Sequence, residues 1–328
     1  MRTVIASALT AVCLLTACGG SAVRVTAPTS AGAPRTATLM LDFAPNAAHA
    51  GIYSAVARGY DRQAGIRLRV IPPPSPADSI KLLQAGKVDF SVLDIHDLAI
   101  ADERRAGAVG IAGIVERPLA ALIAQPKFRA PRQLDGATVG VAGDPSDLAV
   151  VHSIVAGSGG HPKTIKTIDI GTGAIPDLLS GRLAAATGFW NDEGVALAQR
   201  RPGFNVFRVE RFGAPSYPEL VLCATRKTLS REPSLARDVV RAVTRGYEFA
   251  LSHPGASAAD LERLVPGLDS KLTSADLAAL TPAFAGPNGH PGELDVAVLK
   301  SWAQWEARFG IVSSAPNVAT TFDTRFNR

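Results

Sequence analysis

The chain has 328 residues, 47% of them hydrophobic and 19% charged, with a formal net charge of +5. That balance describes a soluble globular body, and the positive charges are dispersed with no basic stripe interleaved with aromatics, which argues against a nucleic-acid binder. Three cysteines spread over this length leave no disulfide framework to staple a small fold.

Residues 1–17 carry Arg2, then an apolar stretch too short to span a bilayer comfortably, then small residues before Cys18. This reads as a removed secretory signal. Leu15-Thr16-Ala17-Cys18 also resembles the lipobox of bacterial lipoproteins, which makes Cys18 the expected lipidation site and the cell membrane, on its extracytoplasmic face, the expected location. Residues 18–35 are Gly, Ser, Thr, Ala and Pro with little to bury, the composition of a flexible tether. Cys13 leaves with the signal and Cys18 carries lipid, so Cys223 is alone in the exported body; its apolar neighbours predict a buried small side chain.

The remaining body, about 290 residues, exceeds one ordinary core and predicts two lobes. Ala37 to Leu41 reads as a strand, Ala47 to Gly59 as a helix, Ile66 to Ile71 as a strand, Ala77 to Ala85 as a helix, and Val88 to Leu93 as a third strand ending at Asp94. Val109 to Val115 and Leu119 to Ala124 add two strands, and the polar passage Pro126 to Gly136 is the expected crossing. A second alternation follows from Thr138, and Glu219 to Thr225 runs apolar as if returning to the first lobe. The rest predicts helices over Glu232 to Ser252, Ala256 to Leu264, Ser274 to Ala279 and Asp295 to Phe309. The expectation is an α/β two-lobed clamshell, each lobe a mostly parallel sheet flanked by helices: residues 36–125 with 219–328 as lobe I, and 126–218 as lobe II.

In such sheets ligands bind beyond the carboxyl ends of strands. Asp42, Asn46 and His49 fall there after the first strand, and Asp94 after the third, with His96 and Asp97 behind it. Asn46 as a helix cap and Asp42 as a turn tie is the competing reading. In Gly140-Val141-Ala142-Gly143-Asp144-Pro145-Ser146-Asp147, Ser146 can cap a helix, touch a ligand, or do both; no phosphate-loop signature is present. Trp190 beside Asn191, Asp192 and Glu193 can stack a flat ring and read its edge, or Trp190 can be core. No hydrolase elbow, zinc-ligand spacing or paired cysteines appear, so no catalytic residue, metal or cofactor is expected.

These segments together resemble the substrate-binding proteins of ABC importers that are related to the fungal thiamine-pyrimidine precursor synthases. The resemblance rests on Leu41 through Tyr53, on Gly143 through Asp147, on Trp190 through Gly194, and on Pro215-Ser216-Tyr217, and it extends to the C-terminal Thr321 through Phe326. It implies a periplasmic-binding-protein-like clamshell of type II and a monomer that delivers a small nitrogen heterocycle, a thiamine pyrimidine precursor, to a permease and its ATPase. It also implies that Asp42, Phe43, Asn46, His49, Trp190, Asn191, Glu193 and Tyr217 contribute to ligand binding. Phe43 stands where the family often has Trp, and the cysteine-rich iron motif of the fungal synthases is missing, which argues against synthase activity. The alternatives are a pyrimidine-synthesis enzyme of the same fold, a sulfonate binder, and a lipoprotein whose cleft serves as a sensor.

Overall fold

The computed structural model describes residues 34–75 and 78–326. The expected signal, the expected lipidation site Cys18 and nearly all of the expected tether lie outside them. Among the described residues ten strands form two five-stranded sheets. The strands are β1 (Arg35–Met40), β2 (Ile66–Ile71), β3 (Phe90–Asp94), β4 (Ala108–Val115), β5 (Ala120–Ala124), β6 (Thr138–Val141), β7 (Lys166–Asp169), β8 (Ala185–Phe189), β9 (Asn205–Arg208) and β10 (Leu220–Thr225).

The first sheet has the order β2-β1-β3-β10-β4 and the second β7-β6-β8-β5-β9. In the first, β1 runs parallel to β2 and β3, while β10 is antiparallel to both its neighbours. In the second, β6 runs parallel to β7 and β8, while β5 is antiparallel to β8 and β9. The antiparallel strand in each sheet is therefore the one that arrives from the other sheet.

This places one strand differently from the sequence expectation. Leu119–Ala124 was assigned to lobe I, yet β5 pairs with β8 and β9, so the chain crosses between β4 and β5, through Glu116-Arg117-Pro118-Leu119. The passage Pro126 to Gly136 comes after the crossing and holds the turn Pro131–Leu134. The expected helix from Ala47 to Gly59 is instead a 3-10 turn, Ala47–His49, followed by helices Ala50–Ala57 and Tyr60–Gln63, with the break at Gly59, which adopts a positive φ of 70°. Helices Ile95–Glu103 and Glu193–Arg200, absent from the sequence reading, follow β3 and β8 directly.

Alternation along the strands sorts the core. Leu39 and Leu41, with Leu220, Leu222 and Ala224, point into one apolar cluster, and Met40, Val221 and Cys223 into another that continues into the second sheet. Cys223 is wholly buried, and burial pushes its thiol far above the ordinary range.

The long helix Pro233–Ser252 buries Leu235, Val239, Val243, Gly246 and Ala250 at helical spacing. It crosses Ala50–Ala57 closely, because a Cβ on Gly246 would lie 2.0 Å from the carbonyl oxygen of Gly51. From that crossing the Tyr247 hydroxyl donates to the Ala48 carbonyl at 2.7 Å. The loop after β1 is thereby anchored from beneath.

Candidate ligand-binding site

The loop after β1 is a small hydrogen-bonded unit. Asn46 Oδ1 accepts from the Ala48 N–H at 2.8 Å and its Nδ2 donates to the Ala44 carbonyl at 3.2 Å, so this side chain caps the turn. The Asn46 N–H donates to His49 Nδ1 at 3.1 Å. A backbone N–H can only donate, so Nδ1 is the acceptor and His49 Nε2 carries the proton donated to Asp42 Oδ1 at 2.8 Å. His49 is buried, Asp42 is half-buried and Phe43 is exposed. Of the residues expected here, Asn46 and His49 build the loop, and Asp42 and Phe43 offer it to the crevice.

Asp94, at the end of β3, caps the helix Ile95–Glu103 by accepting from the His96 N–H at 2.7 Å. Burial raises its carboxyl, and the Asp42 charge adds to the shift. Asp97, one helical turn on, is pushed up to about 7 by burial and then by Asp94 and Asp144. Asp144 lies on the glycine-rich loop of the second sheet, and burial, Asp147 and Asp94 raise it in turn. These mutual influences set Asp42, Asp94 and Asp97, on the segments after β1 and β3, near Asp144 on the loop after β6.

Behind Asp94 lies a buried network. Oxygens of the Asp94 and Glu219 carboxyls lie within 4.8 Å of each other, and Glu219 Oε2 accepts from the Leu119 N–H at 2.6 Å. His96 Nδ1 is bonded to Glu306 and its Nε2 faces the Tyr217 hydroxyl at 3.3 Å. Burial pulls the His96 imidazole down, but Glu306, Asp94 and Glu219 outweigh it and raise it to about 10. Burial and Asp94 push Glu219 up to about 8. Donor atoms of Asp94, His96 and Glu219 lie within 4.8 Å of one another, the spacing of a cation site. Glu219 is already committed to the Leu119 N–H, His96 to Glu306 and Tyr217, and Asp94 to the His96 N–H, which makes the cluster a brace between the two crossing segments.

On the second sheet's rim Ser146 precedes the helix Asp147–Gly157, but its side chain makes no capping bond. The tie is made by Asp147 Oδ2, which accepts from the N–H groups of Gly143 and Asp144 at 2.8 and 2.9 Å; Gly143 takes a φ of 97° to allow it. Half-buried Ser146 is left free of the capping role.

Trp190 packs in the core. It is 5% exposed, its Nε1 donates to the Pro118 carbonyl at 2.9 Å, and the Arg208 guanidinium lies 3.7 Å from its ring centroid. Tyr217 is also core, fully buried edge-on to His96 and beside Trp305. Asn191 is 4% exposed with an unpartnered Oδ1. Glu193 Oε2 accepts from the Phe189 N–H at 2.8 Å, and burial and Asp192 raise its carboxyl. The structure thus sets Asp42 and Asp94 near the loop of Asp144 and Ser146, leaves Asn191 and Glu193 as acceptors at the end of β8, and packs Trp190 and Tyr217 in the core.

The large described cavity, about 990 Å³, is elsewhere. Its lining includes Val109, Arg226, Lys300, Phe322 and Arg325. Val109 pairs with Ala224 near the end of β10, opposite the end where Leu220 pairs with Asp94.

Comparison with known proteins follows this geometry. The family described as NMT1/THI5 like matches residues 46–257. The formylaminopyrimidine-binding protein of Halalkalibacterium halodurans is 27% identical over 279 residues, 82% of this chain and 83% of that protein. A 4-amino-5-hydroxymethyl-2-methylpyrimidine phosphate synthase of Aspergillus parasiticus is 23% identical over 224 residues, 64% of this chain and 65% of that one. Among solved structures, the alkanesulfonate-binding protein of Xanthomonas axonopodis pv. citri superposes with a TM-score of 0.68 at 13% identity, covering 89% of this chain and 99% of that one. At that identity the likeness concerns the fold, which is the two-lobed α/β clamshell of periplasmic binding proteins. The span matched, from the capping Asn46 through the long helix to Ser257, establishes that the chain belongs to the NMT1/THI5-like family.

Proposed function

We propose that the protein is a lipid-anchored solute-binding protein of an ABC importer, and that it captures an amine-bearing pyrimidine, a thiamine precursor, between its two sheets. The observation that carries this reading is the nearness of Asp42, Asp94 and Asp97 to Asp144, which follows a strand of the other sheet. Neighbouring carboxylates repel one another and would repel a sulfonate, whereas a ring carrying amino groups supplies the donors and positive charge they lack. The likeness to a formylaminopyrimidine-binding protein supports the same ligand class.

In this reading lobe I comprises β1 to β4 with the returning β10 and the C-terminal helices, lobe II comprises β5 to β9, and the lobes close as the ligand bridges them. The ligand leaves unchanged. His49, the residue an enzyme would call upon, has both ring nitrogens occupied by Asp42 and the Asn46 N–H. Cys18 holds the monomer to the extracytoplasmic face, and a permease with its ATPase receives the ligand. Among the described residues no helix is long and apolar enough to cross a membrane.

Calorimetry tests the reading. The panel is formylaminopyrimidine, aminomethyl- and hydroxymethyl-pyrimidines, thiamine and an alkanesulfonate. At least one pyrimidine is expected to bind with micromolar affinity or better, about −8 kcal/mol. Clear heat with the sulfonate and none with any pyrimidine would overturn it.

A further inference from the structure

Two deeply buried oxygens lie without donors in the neighbourhood of the second sheet's rim. One is Asn191 Oδ1, on the loop after β8. The other is Asp276 Oδ1, on the helix Ser270–Leu280, and Asp276 is 6% exposed. That helix inserts Leu277 and Leu280 into the core of the first sheet and packs both on the turn Ala47–His49 and on the helix Glu193–Arg200. It therefore touches a loop of each lobe.

Asp276 lies near the acids at the end of β8, because its helix packs on Glu193–Arg200. Burial first, then Asp192 and Glu193, push its carboxyl up to about 7. Among the described residues no Lys or Arg forms an ion pair with Asp192, Glu193 or Asp276. Buried acceptors with neither a donor nor a counter-charge are rare in folded proteins. Asp276 Oδ1 and Asn191 Oδ1, drawn from two lobes, are short of donors, and the carboxyls of Asp192 and Glu193 add negative charge beside Asp276.

We propose that Asp276 is a specificity residue: from the lobe I side it receives, opposite Glu193, an amino group of the bound heterocycle, and so selects an amino-substituted ring over its oxo counterpart. The inference rests on the proposed function, since it assumes that these loops hold a nitrogen heterocycle. An oxo group at the same place sets an acceptor against acceptors, and a site built from unpaired polar groups discriminates strongly against a ligand that cannot pair them. Asp276 also gives the ligand a role in closure, because the donor it brings relieves repulsion between groups on opposite lobes.

The test is calorimetry at pH 8 with two probes, 4-amino-5-hydroxymethyl-2-methylpyrimidine and the analogue with oxo in place of the 4-amino group, on wild type, Asp276→Asn, Asp276→Ser and Glu193→Gln. Wild type is expected to favour the amino compound at least thirtyfold, and each Asp276 variant to shrink that ratio at least tenfold with its thermal midpoint held or raised. No preference in wild type, or a ratio within twofold of wild type in both Asp276 variants, overturns the inference. In the second case Glu193→Gln separates the outcomes: amino-compound binding that depends on Glu193 but not Asp276 leaves the proposed function standing. Wild type that binds neither probe nor any other pyrimidine removes both.

Discussion

Glu219 accepts a hydrogen bond from the backbone N–H of Leu119 at 2.6 Å, and the two residues belong to the two segments by which the chain passes between its sheets. The bond ties one crossing to the other. Because an oxygen of Glu219 lies within 4.8 Å of one of Asp94, the tie reaches the end of β3.

Glu219→Ala leaves the buried Leu119 N–H without an acceptor and is expected to cost about 1–3 kcal/mol in urea unfolding. The carboxyl, raised from 4.5 to about 8, keeps in the folded state a proton the unfolded chain has released. Its contribution therefore falls as pH rises from about 4.5 to 8 and is level above. Glu219→Gln should flatten that part of the stability profile; an unchanged slope would refute the assignment.

His96 works in the same direction at higher pH. Its imidazole is raised from 6.5 to about 10, so the stability it lends is fully present below 6.5 and lost as pH rises through 10. Glu306→Gln removes the partner at Nδ1, and breaking a buried pair from one side is expected to cost about 3–5 kcal/mol. NMR titration of His96 should show its midpoint moved downward in that variant.

Trp190→Ala tests core against ligand platform. Loss of the ring beneath Arg208 and of the bond to Pro118 is expected to cost about 3–5 kcal/mol of stability. Trp190→Phe, which keeps a ring but not the donor, should cost about 1 kcal/mol and bind the pyrimidine found by calorimetry as wild type does. Lost binding in a stable Trp190→Phe protein would return this residue to the ligand.

Asp144→Asn removes one charge from the crevice. Binding of an aminomethylpyrimidine, a cation near neutral pH, should weaken on the order of tenfold, with a shallower salt dependence than wild type. Equal affinity and equal salt dependence would detach Asp144 from the ligand.

Cys18→Ala tests the anchor. Fatty-acid labelling and membrane fractionation should both be lost in this variant. A variant that stays labelled and membrane-bound would end the lipobox reading.

The strands were legible because their alternation matches a sheet buried on both faces, as Leu39 against Met40 and Leu222 against Cys223 illustrate. What an apolar strand does not carry in its own composition is which sheet it joins. β5 is apolar and fully buried, and the turn signals after Pro126 looked like a crossing as much as Pro118 did. Asp42, Asp94 and the Gly140–Asp147 loop stand out in the sequence because ligand loops follow strand ends. The burial of Trp190 is not legible there because its partners, Pro118 and Arg208, are remote in sequence, and an indole beside acids reads alike whether covered by a ligand or by the protein. Asp276 gave no signal at all: one acid on an amphipathic helix is ordinary until the helix is seen against Glu193.

Cys223 has a practical consequence. From Pro34 onward it is the chain's one cysteine, and its thiol is sealed inside β10 and held protonated. A maleimide dye offered to the native body has nothing to react with, so a cysteine introduced at Leu148, half exposed beside the glycine-rich loop, becomes the sole labelling point. The protein can be turned into an optical reporter of its own ligand without disturbing a native thiol.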